Sequence, residues 1–244
     1  MKIDAYCTLG SDREYELTEA SLLEAMDQTG VERAVIVPVD RFLAVNNREG
    51  NKAMRKAAAS HPDRFLPACS VNPWYGAEAA EELRRAVGGG ARVFVLHPLV
   101  QGFLANDELV FPVLDTASRE RIPVYVHTGP PASSTPWQIV DLATRYPELD
   151  FIMGHSGATD FWNDVVAAAL AAPNIYIESS LARPFNFAGY MNQMDKRRGI
   201  MGSWAPLNDM ALEWEQMRKA LPPTEWEGLY GENLLSLLCK RGSL

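Results

Sequence analysis

Residues 122–155 read IPVYVHTGPPASSTPWQIVDLATRYPELDFIMGH, and this stretch decides the fold. It opens on an apolar run at 122–127, continues with a helix-period run at 136–146, and ends on a second apolar run at 151–154. Neither apolar run alternates polar with apolar residues, which is typical of strands that helices cover on both faces. The stretch therefore predicts two parallel strands joined by a helix.

The same alternation of strand and helix extends along the whole chain. Strands are predicted at 3–7, 33–39, 65–71, 93–96, 122–127, 151–154, 175–178 and 199–203, and helices at 20–28, 47–60, 77–87, 109–120, 136–146, 162–171, 185–196, 210–221 and 225–239. Eight such units in 244 residues predict an α/β fold, a single (β/α)8 TIM barrel that forms one domain over residues 1–244. An open doubly wound sheet is the alternative, but no Gly-x-Gly-x-x-Gly follows the first strand.

Composition excludes several classes of binding partner for the chain. The net charge of -8 argues against binding to nucleic acid or to an anionic membrane surface. No apolar run reaches the roughly 18 residues that a membrane span needs. The three cysteines, Cys7, Cys69 and Cys239, match neither a disulfide framework nor a zinc knuckle. We expect a cytoplasmic protein whose partner is a small-molecule substrate or ligand.

Histidines end two consecutive strands of the predicted barrel. His127 closes the fifth strand and His155 the sixth, and each is followed by a glycine two residues on. Active sites of such barrels lie at the carboxyl ends of the strands, so both imidazoles are candidate catalytic groups. In the first strand, a side-chain period of two places Asp4, Tyr6 and Thr8 on one face and Cys7 on the other. Tyr6 and Thr8 are thus expected to point into the mouth of the barrel.

Four further side chains are candidates for contact with a substrate. His97 follows the fourth strand, and its alternative role is a structural hydrogen bond. Glu178 ends the seventh strand. Arg183 follows it and is suited to clamp a carboxylate, although an ion pair with Glu178 or a surface contact is an alternative for this residue. Trp204, after the eighth strand, is the fourth candidate.

The strand ends resemble those of the amidohydrolase superfamily in its amidohydrolase 2 branch. The family patterns I-D-x-H-x-H, K-L-H-P, H-x-G, G-H-x-G and G-S-D-x-P correspond to residues 3–8, 95–98, 127–129, 154–157 and 202–206. Here Tyr6, Thr8, Val95 and Trp204 replace two histidines, the lysine and the aspartate. The resemblance implies hydrolysis of amides or lactones, or non-oxidative decarboxylation, usually with one divalent metal, and a possible homodimer.

These replacements predict a degenerate metal site. In the family the aspartate binds the metal or takes a proton from the attacking water, and an indole has no basic lone pair for either task. Of the family's ligands only His127 and His155 are present, and a catalytic zinc usually has three protein ligands. We therefore expect no cofactor. The alternative is one divalent metal, such as zinc, on His127 and His155 with Glu178 or Tyr6.

Two hypotheses for function follow. The first is a metal-independent hydrolase of a small carboxylated or cyclic ester or amide of the lactone type, although a decarboxylase is also possible. In it His155 is the general base, His127 and Tyr6 stabilise the oxyanion, and Arg183 anchors the substrate. The second is a non-catalytic barrel that binds a ligand or a partner. Trp204 packed over His127 favours the second hypothesis, and open imidazoles favour the first.

Overall fold

A curled sheet of parallel strands forms the centre of the molecule. The computed structural model describes residues 1–129, 132–158 and 160–240. Its strands are β1 (Ile3–Ser11), β2 (Glu16–Leu17), β3 (Arg33–Pro38), β4 (Phe65–Ser70), β5 (Val93–Leu96), β6 (Val124–His127), β7 (Phe151–Gly154), β8 (Ile175–Glu178) and β9 (Gly199–Ile200). Their order in the sheet is β2-β1-β3-β4-β5-β6-β7-β8-β9, and only β2 runs antiparallel to its neighbour.

The barrel closes between the segment that follows β9 and β1. The amide of Ala5 donates to the carbonyl of Met201 at 3.0 Å, and the amide of Thr8 donates to that of Ala205 at 2.7 Å. In the opposite direction, the amide of Trp204 donates to the carbonyl of Tyr6 at 3.0 Å. The predicted TIM barrel is confirmed. The hairpin strand β2 was not predicted, because two residues are too few to show a period.

Helices surround this barrel. They are α1 (Glu19–Thr29), α2 (Asp40–Ala44), α3 (Asn47–Ser60), α4 (Ala77–Gly88), α5 (Pro98–Gln101), α6 (Phe111–Glu120), α7 (Pro136–Arg145), α8 (Val165–Ala171), α9 (Pro184–Met191), α10 (Met210–Ala220), α11 (Pro223–Trp226) and α12 (Glu232–Cys239). The predicted continuous helix at 225–239 is wrong, since a 3-10 turn and Gly231 separate α11 from α12. Gly231 is extended, with φ of 169°, which interrupts the helix, and a Cβ there would lie 2.3 Å from the carbonyl oxygen of Met1.

Two apolar layers stabilise the barrel, one inside the strands and one between the strands and the helices. A bulge in β1 shifts the register between Asp4 and Cys7. Asp4 consequently points outward, where its carboxylate accepts a hydrogen bond from the indole of Trp214 in α10 at 2.8 Å. The prediction that Asp4 shares a face with Tyr6 is wrong for this reason. Cys7 packs in the outer layer, as predicted.

None of the helices in the described part of the chain is both long and apolar enough to cross a membrane.

A candidate active site at the carboxyl ends of the strands

His155 lies at the centre of the barrel mouth, directly after β7. Its backbone takes a left-handed conformation, with φ of 59°, and its side chain is completely buried. Gly154 precedes it because the ring of Tyr125 lies against that position, where a Cβ would come within 2.2 Å of a ring carbon. The two ring nitrogens of His155 face Ser180 Oγ at 2.7 Å and His127 Nε2 at 2.6 Å.

Glu178 lies beneath His155 and accepts hydrogen bonds on both carboxylate oxygens. Its Oε2 accepts from the hydroxyl of Tyr125 at 2.8 Å, from the amide of His155 at 3.0 Å and from the hydroxyl of Ser180 at 2.7 Å. Its Oε1 accepts from the amide of Ser180 at 2.7 Å. Gly202 makes room for this carboxylate, since a Cβ there would lie 2.2 Å from Oε1. Four hydrogen-bond donors surround this one carboxylate, and such an arrangement stabilises its ionised form.

The hydrogen bonds around an ionised Glu178 fix the protons of both imidazoles. The hydroxyl of Ser180 donates to Glu178, so Ser180 Oγ accepts a hydrogen bond from Nδ1–H of His155. Nε2 of His155 is then unprotonated and accepts from Nε2–H of His127. This leaves Nδ1 of His127 with a lone pair, and within the described residues that atom has no hydrogen-bond partner.

His127 is the half-buried member of this chain of groups and stacks against His97. The ring centroids of the two histidines are 3.8 Å apart with an angle of 14° between the planes. His97 caps the N-terminus of α5, where its Nδ1 accepts a hydrogen bond from the amide of Val100 at 3.5 Å. Its own amide donates to Gln101 Oε1 at 2.8 Å. The structure thus gives His97 the predicted structural hydrogen bond and places it beside His127, whereas its contact with a substrate stays a prediction.

Burial keeps the three imidazoles neutral. It lowers the pKa of His97 to about 4 and that of His155 to about 3. The pKa of His127 is also well below its ordinary value because of burial, and His155 and His97 contribute further. Burial raises the pKa of the Glu178 carboxyl, although the hydrogen bonds from His155, Ser180 and Tyr125 oppose this effect. A proton that enters the site therefore meets neutral imidazoles above a carboxylate with raised proton affinity.

Trp204 covers the imidazoles from the side of β9. Its backbone is left-handed, with φ of 61°, and its ring centroid lies 4.8 Å from that of His155 and 5.6 Å from that of His127. Tyr6 is buried inside the barrel against Tyr125, with its ring centroid 5.8 Å from that of His127 and 6.0 Å from that of His155. Its predicted contact with the reacting group does not fit this burial. Trp204 is therefore the aromatic wall beside the two imidazoles.

The remaining predicted site residues are Thr8, Glu178 and Arg183. Thr8 is buried beside Tyr6, and Glu178 is buried beneath His155. Contact of either side chain with a substrate does not fit these positions, because both are closed off from the mouth. Arg183 is exposed just before α9. Within the described residues, it makes no ion pair with Glu178.

The donor set at this mouth does not fit a divalent metal. Two imidazole nitrogens that share one tetrahedral zinc ion lie roughly 3.3 Å apart, given zinc–nitrogen distances of about 2.0–2.1 Å. Nε2 of His127 and Nε2 of His155 are only 2.6 Å apart, which is a hydrogen-bond distance. The oxygens of Glu178 are occupied by four donors, and Trp204 offers no ligand. Among the described residues, no group of three or more His, Cys, Asp or Glu is placed to hold a metal ion.

Two members of this network were missed by sequence reasoning. Ser180 connects His155 with Glu178, and Tyr125 donates to the carboxylate from inside the barrel. The spacing of Glu178 and Ser180, two residues apart at a strand end, is the only signal that could have indicated the first. Tyr125 follows from the strand period, because it lies two residues before His127 on the same face of β6.

A closed parallel barrel with its polar cluster at the carboxyl ends of the strands defines the TIM-barrel class. Within that class the chain belongs to the amidohydrolase family, whose family model matches residues 10–223. No curated protein matches the chain.

Solved structures with the same fold include decarboxylases. The 5-carboxyvanillate decarboxylase of Sphingomonas paucimobilis is 15% identical, with a TM-score of 0.79, and covers 97% of this chain and 98% of its own. The 2,6-dihydroxybenzoate decarboxylase of Rhizobium is 14% identical, with a TM-score of 0.77 and coverage of 99% of both chains. A 5-carboxyvanillate decarboxylase of Novosphingobium aromaticivorans, complexed with manganese and 4-hydroxy-3-methoxy-5-nitrobenzoic acid, is 15% identical, with a TM-score of 0.78 and coverage of 98% and 96%. These similarities show the fold.

Proposed function

We propose that the chain is a metal-independent hydrolase that acts on a small carboxylated or cyclic ester or amide, with His127 as the base. The observation that carries this proposal is the unbroken path of hydrogen bonds from His127 through His155 and Ser180 to Glu178, with heavy-atom distances of 2.6, 2.7 and 2.7 Å. His127 is the half-buried end of the path, whereas His155 is completely buried. The role of general base therefore suits His127 better than His155.

In the proposed first step, a water molecule gives a proton to Nδ1 of His127 as its oxygen attacks the carbonyl carbon. His127 passes its Nε2 proton to Nε2 of His155, and His155 passes its Nδ1 proton to Ser180 Oγ. Ser180 gives its hydroxyl proton to Glu178, so the carboxylate becomes a neutral acid and both imidazoles stay neutral. This transfer avoids a buried imidazolium, which the low pKa of His155, about 3 because of burial, makes costly.

Collapse of the tetrahedral intermediate reverses the path. The leaving oxygen or nitrogen takes the proton from Nδ1 of His127, and Glu178 returns to its ionised form. In this proposal the exposed guanidinium of Arg183 holds a substrate carboxylate. Trp204 and His97 provide the walls beside the reacting carbonyl.

Hydrolysis suits this site better than the decarboxylation that some structural relatives perform. Loss of carbon dioxide from an aromatic acid requires a proton donor for the ring carbon. His127 is neutral near pH 7, because burial and the neighbouring histidines hold its pKa well below its ordinary value. A neutral imidazole with a free lone pair is a base, so activation of water is the chemistry that it supports.

The test is turnover of a panel of lactones, aryl esters and small amides that carry a carboxylate. We expect His127→Ala to lower kcat/KM by roughly 10²–10⁴-fold, the usual contribution of a general base. Ser180→Ala should lower kcat more than it raises KM, because it breaks the relay without touching the substrate. His61→Ala, which removes the half-exposed histidine at the end of α3, is the matched control. Turnover that His127→Ala leaves unchanged would contradict the proposal.

A non-catalytic barrel is the second candidate function, and the position of Trp204 favours it. The indole lies 4.8 Å from the ring centroid of His155, and that imidazole is completely buried. A wild-type protein that turns over none of the panel, yet whose tryptophan fluorescence responds to one of its members, would support this candidate. The same result would rule out the hydrolase for the substrates in the panel.

A further inference from the structure

A groove lies on the side of the barrel between helices α3 and α4, away from the mouth. It consists of two cavities of about 360 Å³ and about 300 Å³. Both cavities are lined by Arg48 and Glu82, which form an ion pair at 3.3 Å, so this pair divides one continuous groove. The smaller cavity reaches β4 and is floored by the apolar groups of Pro67, Cys69, Ala86 and Ala91.

The smaller cavity concentrates positive charge in a chain whose net charge is -8. Four cationic side chains line it, with Glu82 as the single carboxylate, and the cations are Arg48, Lys52, Arg55 and Arg85. Arg48 and Arg85 both pair with Glu82. Within the described part of the chain, Lys52 and Arg55 make no ion pair. Two exposed cations thus face the cavity without a counter-ion on the protein.

The cations of α3 are held on one side of the helix by their spacing. Arg48, Lys52 and Arg55 follow each other at intervals of four and three residues, which places them on one face, toward α4. Asn51 lies on the same face, buried, and donates to Glu82 Oε1 at 3.1 Å and to the carbonyl of Ser70 at 3.0 Å. The amide of Ser70 donates back to Asn51 at 2.9 Å. The groove wall is therefore fixed by hydrogen bonds before any ligand arrives.

We propose that the smaller cavity of this groove binds a phosphate monoester with a small apolar body. The two unpaired cations match the roughly double negative charge of a phosphate monoester near pH 7. The apolar floor suits the organic part of the ester, and a volume of about 300 Å³ is at the small end of known ligand sites. The site is separate from the barrel mouth and shares no lining residue with the histidine relay.

The test is titration calorimetry of the full chain with phenyl phosphate at low ionic strength. We expect saturable binding that is tighter than that of inorganic phosphate, which lacks the apolar body, and of benzoate, which carries a single charge. Added salt should weaken it. Lys52→Ala and Arg55→Ala should each weaken binding by roughly tenfold to hundredfold, the effect of losing one charged contact.

The matched control is Lys56→Ala, because Lys56 is an exposed cation of α3 that does not line the cavity. It should leave the affinity for phenyl phosphate unchanged. An absence of saturable binding by the wild-type chain would overturn the proposal, as would an equal loss of affinity in Lys56→Ala. Equal affinity for phenyl phosphate, inorganic phosphate and benzoate would overturn the assignment to a phosphate monoester. All three variants change exposed side chains, and their melting temperatures verify the fold.

Discussion

Replacement of His97 by asparagine should make the protein less sensitive to acid. His97 is buried, with 7% of its surface exposed, and burial lowers its pKa to about 4 from an ordinary value of 6.5. In the unfolded chain the same imidazole takes up a proton as the pH falls below 6.5, whereas in the folded chain it stays neutral until about pH 4. The free energy of unfolding therefore decreases between these two pH values, and His97 accounts for part of the decrease.

The magnitude follows from the two pKa values. Between about pH 7.5 and about pH 5, protonation of the unfolded imidazole stabilises the unfolded state by about 2 kcal/mol. His97→Asn removes this contribution and keeps an acceptor for the amide of Val100 at the start of α5. The variant loses the stacking against His127, so it should be less stable near neutral pH. The stability difference between the wild-type chain and the variant should then shrink by about 2 kcal/mol at the lower pH, or roughly 4–8 °C in Tm for a chain of this length.

The assay is urea unfolding of both proteins at the two pH values and at constant ionic strength, monitored by circular dichroism. His61→Asn is the control, since it removes a half-exposed histidine from the same chain and thereby isolates the effect of burial. Titrating groups that lie away from His97 contribute equally to both proteins and cancel in the difference, and His127 and His155 stay neutral in this range because burial lowers the pKa of both. A stability difference that is the same at both pH values would refute the reasoning, because it would mean that His97 is protonated equally in the folded and unfolded states.

Three further measurements address the interior of the site. Tyr125→Phe should cost about 1–3 kcal/mol in urea unfolding, because it removes a buried donor to Glu178, and no change would contradict that hydrogen bond. Gly202→Ala should destabilise by about 1–3 kcal/mol, since its Cβ would lie 2.2 Å from Glu178 Oε1; Gly189→Ala, where no atom lies within 4 Å, should be nearly neutral. Equal effects of the two alanines would argue against close packing at Gly202. Mass spectrometry of the purified protein should find far less than one zinc or manganese per chain, and a full equivalent would mean that the relay rearranges around a metal.

Much of the fold was predictable because the strands are buried on both faces. Runs such as Val93–Leu96 and Ile175–Glu178 are short, apolar and rich in branched residues, and the structure has strands with these same bounds. The bulge in β1 was not predictable, since a strict period of two gives no sign of an extra residue. The break between α11 and α12 likewise depends on the approach of Met1 to Gly231, two positions at opposite ends of the chain.

The sequence predicts which residues form the site better than it predicts the hydrogen bonds between them. The sequence places His127 and His155 at neighbouring strand ends, and their Nε2 atoms meet at 2.6 Å. His155 is buried and His127 is half-buried, and no local pattern indicates the left-handed backbone of Trp204 beside them. The bond from Ser180 to His155 joins groups 25 residues apart, so it arises only once β7 and β8 are aligned.

The segment at 202–206 contains residues that build the barrel wall and one residue, Trp204, at the position of the family's aspartate. Gly202 leaves space for Glu178, the amide of Ser203 donates to Asp4 at 3.0 Å, and the carbonyl of Ala205 accepts the bond from Thr8 that helps to close the barrel. Gly202 and Ser203 match the family pattern and have a structural role here, Ala205 stands at its variable position, and Trp204 occupies the position of the family's aspartate. Residues of this motif can therefore be explained by their role in the barrel wall alone. For such chains, counting matched motif positions measures how well the wall is preserved and says little about catalysis.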